Sequence, residues 1–70
     1  MPKTESLEAL CLRARAHLTK RAAACERDYF DFFNDRKLQV DSWLFDLRHQ
    51  MPTPMREAHI RAGCKEFLQQ

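Results

Sequence analysis

An all-α fold follows from three features of the chain. Helix breakers are missing between Lys3 and Met51, apolar residues recur at helical spacing, and a proline pair punctuates the chain near its end. The one glycine is Gly63, and the three prolines are Pro2, Pro52 and Pro54. Val40 and Ile60 are the only Val and Ile, so the alternating β-branched runs typical of strands do not occur. The expected architecture is a long helical hairpin plus a short C-terminal helix, assembled as a dimer. It forms a single helical domain, 1–70, with helices at about 5–33, 36–50 and 54–68.

The first helix opens in "TESLEALCLRARAHL", where Thr4 or Ser6 can cap it and Glu5 and Glu8 suit the positive end of the helix dipole. Advancing about 100° per residue, Leu7, Cys11, Ala14, Leu18, Ala22, Cys25, Tyr29 and Phe32 share one narrow stripe. The spacing is close to a heptad. Small side chains at Cys11, Ala14, Ala22 and Cys25 allow a close helix approach. Leu7, Cys11, Ala14, Leu18, Ala22 and Cys25 are therefore the expected dimer seam. Arg13, Lys20 and Arg27 recur every seventh residue on the roughly opposite face.

A break is expected at "NDRK", with Asn34 ending the first helix and Asp35 capping the next. The alternative is one helix continuing to about His49. In the second helix Val40, Trp43, Leu44, Leu47 and Met51 cover an arc of about 100°, while Leu38 and Phe45 sit on the other side. "MPTPMREAHI" ends this helix before Pro52 and starts another, with Thr53 as N-cap and Pro54 at the first helical position. Ile60, Gly63, Cys64, Phe67 and Leu68 form the third helix's apolar face. Gly63 on that face implies a close helix crossing that offsets its cost of about 1 kcal/mol against Ala.

The aromatic run "DYFDFF" is amphipathic when placed on the first helix. Asp28, Asp31 and Asp35 form the wet side, and Tyr29, Phe32 and Phe33 are expected in the core. Leu12, Phe30, Leu38 and Phe45 are left as large apolar residues that no single seam buries.

Composition bounds the function. A 70-residue chain buries only about 60% of its unfolded surface, so packing or a partner must supply stability. The net charge of +2 is nearly balanced, with a basic block from Arg13 to Arg27 and an acidic one from Asp28 to Asp46. Two antiparallel copies would set these blocks against each other. Three cysteines without a C-x-x-C spacing, and no apolar leader, point to reduced thiols and a cytoplasmic location. No apolar run approaches the ~20 residues that span a bilayer.

Catalytic and metal signatures are missing. No glycine-rich phosphate loop occurs, and Cys25 has no histidine one turn away. Cys11, His17 and Cys25 are spaced too widely for one ion, and His59 and Cys64 diverge on their helix. No enzyme, metal or cofactor is expected, and no stretch carries a recognisable family motif.

The leading expectation is a small cytosolic protein-interaction module that binds and modulates a larger protein, most simply by inhibiting it. Its contact residues are Phe30, Leu38, Trp43 and Phe45, with Arg13, Lys20 and Arg27 as a basic flank. One alternative is a small DNA- or RNA-binding regulator whose phosphate contacts are those three basic residues. Another is a structural coiled-coil component of an assembly.

Overall fold

The structure is a computed structural model. It describes residues 5–24 and 27–70, and the side chains of all of these except Arg27 and Asp28. It is all-helical: α1 spans Leu7–Ala24, α2 spans Arg27–His49 and α3 spans Pro54–Leu68. No strand occurs among the described residues.

Each helix start has a local cause. At α1 the Ser6 Oγ accepts a hydrogen bond from the Ala9 N–H at 3.2 Å, and Glu8 lies in the first turn. At α3 Thr53 is extended (φ −71°, ψ 159°), and its side-chain oxygen accepts from the Arg56 N–H at 3.1 Å. Pro54 then supplies a helical φ where no N–H is required.

The first helix boundary differs from expectation. α1 ends at Ala24 and α2 is already helical from Arg27. Asn34 and Asp35 lie inside α2 and break nothing. The expected helices at 5–33 and 36–50 are therefore redrawn as 7–24 and 27–49.

Partners along α2 descend as those along α1 ascend: Glu8 pairs with Arg48, and Arg15 with Asp41. α1 carries most of the contacts to both other helices, whereas α2 and α3 touch sparsely. Small side chains make this possible. Cys11, Ala14 and Ala22 are buried along α1 together with Leu10 and Leu18. Phe33, Val40, Trp43 and Leu44 from α2 and Ile60 and Cys64 from α3 complete the core. Leu10, Leu18, Val40 and Ile60 are fully enclosed, each contributing about 1.5–3 kcal/mol by burial.

This corrects the expected dimer seam. Leu7, Cys11, Ala14, Leu18 and Ala22 pack within their own chain, so the stripe has no free face to offer a second copy. Cys25 lies outside the described residues.

The Cα framework measures 37 × 30 × 16 Å. Its thinnest dimension fits two helix layers packed about 8–10 Å apart, so each helix keeps an outer face towards solvent.

Candidate interaction surface

Helical phase decides which large apolar residues stay outside. On α2, Phe45 lies about 160° around the axis from Trp43. Trp43 faces α3: its ring stacks on Phe67 with centroids 5.6 Å apart and meets the His59 ring edge-on at 6.0 Å. Trp43 is only 4% exposed. It is a core residue, and the expectation that it contacts a partner is corrected.

Phe45 and Leu38, seven residues apart, both point away from that core. They are 62% and 56% exposed. Phe30, nearer the start of α2, and Leu12 of α1 are each 45% exposed. Phe30 to Phe45 spans about 22 Å of helix axis at 1.5 Å per residue.

At the Phe45 end of this surface lies a groove between α1 and α2, lined by Leu12, Arg15, Asp41, Leu44, Phe45 and Arg48, with His49 at its end. Two ion pairs cross it. Arg15 Nε donates to Asp41 Oδ1 at 2.5 Å, and the Arg48 guanidinium donates to Glu8 Oε1 at 3.2 Å. The Phe45 ring leans on His49, centroids 4.2 Å apart. Leu12, Leu44 and Phe45 thus lie among paired charges, a mixture of apolar and polar contact such as protein–protein interfaces use.

A second apolar patch closes the end of the bundle. Tyr29 is 63% exposed and Phe32 39% exposed, while their neighbour Phe33 is buried. The expectation of core positions therefore holds for Phe33 alone. The cause is the break before Arg27. A stripe extrapolated along α1 loses its phase there, and Tyr29 lies beyond the end of the helix that would have covered it. Phe32 and Phe33 meet edge-to-face at 5.1 Å. Arg36 lies 3.4 Å over the Phe32 ring, and Arg21 lies 5.1 Å over the Phe33 ring. Tyr29, Phe32, Phe33, Arg21 and Gln70 line a shallow groove.

The basic flank is not a free row. Arg13 is held by Glu5, with Nη2 to Oε1 at 2.8 Å and Nε to Oε2 at 3.1 Å. Lys20 is exposed. Arg27 begins α2, and its side chain lies outside the described set.

Two thiols meet in the core. The sulfurs of Cys11 and Cys64 are 3.5 Å apart, both fully buried. Their mutual hydrogen bond pulls the Cys11 thiol below its usual range, against burial and the nearby Glu8 carboxylate. The same hydrogen bond, with burial, pushes Cys64 up. Among the described residues no three His, Cys, Asp or Glu side chains converge as a metal site would require, and no helix is long and apolar enough to cross a membrane.

Sequence reading found Phe30, Leu38 and Phe45 by elimination, since no seam could bury them. It missed Tyr29, Phe32 and, in the first turn of α3, Met55, which is 83% exposed, and it set Met51 on the apolar arc of the second helix, where the structure leaves it 98% exposed beyond the end of α2. No protein-family model matches the chain, and no curated protein and no solved structure is detectably similar to it.

Proposed function

We propose that this chain is a small, non-catalytic protein-interaction module that binds a larger protein through the outer face of α1 and α2 and modulates it by occupying its surface. The observation that carries this reading is the exposure of Leu12, Phe30, Leu38 and Phe45, 45–62% each, in so small a chain. The elongated groove between two helices suits an amphipathic helix of the partner, anchored by apolar residues one or two turns apart. The rim offers both signs of charge, so such a helix would carry acids and bases beside its apolar stripe.

Self-association moves to the same face. Acids and bases are mixed along α2, with Arg36 and Lys37 beside Asp35 and Arg48 beside Asp46, so a second copy would be held across Leu38 and Phe45 chiefly by apolar contact. The nucleic-acid alternative has less to stand on, since Glu5 and Asp41 engage Arg13 and Arg15. The coiled-coil alternative relied on a stripe that is spent within the chain.

The test pairs wild type with Phe45→Asp and Leu38→Asp, with folding checked by circular dichroism. Light scattering reports molar mass, and capture from nuclease-treated lysate reports a partner. Loss of association in both variants is expected. A monomeric wild type together with capture unchanged by either substitution would remove the proposal.

A further inference from the structure

We infer that Cys11 and Cys64 form a peroxide-oxidisable pair, a modification site at which an intramolecular disulfide ties α1 to α3. The inference stands independently of the interaction surface. Its basis is placement: two helices bring together, at 3.5 Å, sulfurs 53 residues apart in the chain. Both thiols are free, and no other side chain stands between them. Closing an S–S bond of about 2 Å asks for a shift of roughly 1.5 Å. α3 can supply it, because it rests mainly on α1 and meets α2 sparsely.

The roles of the two sulfurs differ. The two sulfurs share one hydrogen bond that lowers the Cys11 thiol and raises that of Cys64, so the step is written with Cys11 attacking. The Cys11 thiolate attacks one oxygen of hydrogen peroxide, the O–O bond breaks, hydroxide leaves, and Cys11 becomes a sulfenic acid. Cys64 then loses its proton, attacks the Cys11 sulfur and expels the sulfenic oxygen as water. In sum two thiols and one peroxide give one disulfide and two waters. The two electrons lost by sulfur reduce the peroxide oxygens. Both sulfurs are enclosed, so the oxidant must be as small as peroxide and enters when α3 opens locally.

The full-length chain treated with one equivalent of hydrogen peroxide, blocked with an alkylating agent and digested, is expected to yield a Cys11–Cys64 linked peptide. The intact mass should fall by two hydrogens per link, and Cys25 should carry the alkyl group. Tm should rise by about 10 °C or more and return on reduction. In Cys64→Ser, dimedone should trap a sulfenic acid at Cys11, with no internal link. The wild-type peptide map decides the matter even if that variant folds poorly. Chain-to-chain disulfides as the main product, or Cys11 and Cys64 both alkylated after peroxide has consumed Cys25, would overturn the inference.

Discussion

Replacing Gly63 by alanine separates two opposed effects whose sizes follow from the structure. At an open helix position the change stabilises by about 1 kcal/mol, because glycine loses more backbone freedom on folding. Gly63 is not open. A Cβ built there falls inside van der Waals contact of Trp43 Cη2, and lies 3.1 and 3.2 Å from Cζ3 and Cζ2. Carbon atoms prefer about 3.5–4.0 Å. The indole cannot step aside, because Phe67 stacks on one face and His59 meets it edge-on. α3 must back away instead, at the cost of about 1–3 kcal/mol typical of overpacking. With the ring held by two neighbours the upper end applies, leaving a net destabilisation of about 2 kcal/mol. Urea titration followed by circular dichroism should show a lower midpoint at unchanged slope, and Tm should fall by about 8–16 °C. Adding Trp43→Phe makes room for the methyl group, so the double variant should recover about 1–2 kcal/mol relative to additivity. A Gly63→Ala chain more stable than wild type would refute the packing of the Trp43 ring on Gly63.

Three further outcomes follow from the same contacts. Thr53→Ala removes the acceptor for the Arg56 N–H and should cost about 1 kcal/mol by urea titration, while Thr53→Ser should cost little. A double-mutant cycle on Arg15 and Asp41 should give a coupling below about 1 kcal/mol that fades in high salt, since both side chains are more than a third exposed. Phe45→Asp should leave stability within about 0.5 kcal/mol of wild type, so that any loss of binding reports on the surface rather than on folding.

The helical class and the inward faces were legible because their periodicity is local. Leu7, Cys11, Ala14, Leu18 and Ala22 read as one stripe and pack as one. Gly63 read as a close crossing, and Trp43 sits against it. Thr53 and Pro54 read as a helix start and are one. What the stripe faces was not legible, because small residues invite any close neighbour, whether a second copy or the chain's own helices. The break before Arg27 was hidden for a related reason. Ala22, Ala23 and Ala24 are among the strongest helix formers, and no glycine or proline occurs between them and Pro52. Asn34 and Asp35 offered cap chemistry in a place where nothing needed capping. That single misplaced boundary carried Tyr29 and Phe32 into the expected core and out of the exposed patch they form.

The lone tryptophan has a practical consequence. Trp43 belongs to α2 in sequence, but its indole touches Gly63, Phe67 and His59, all on α3. Its emission wavelength is thus a built-in gauge of whether the last helix is docked. A red shift that precedes the loss of helical signal on warming would show the C-terminal segment letting go while the other two helices remain together.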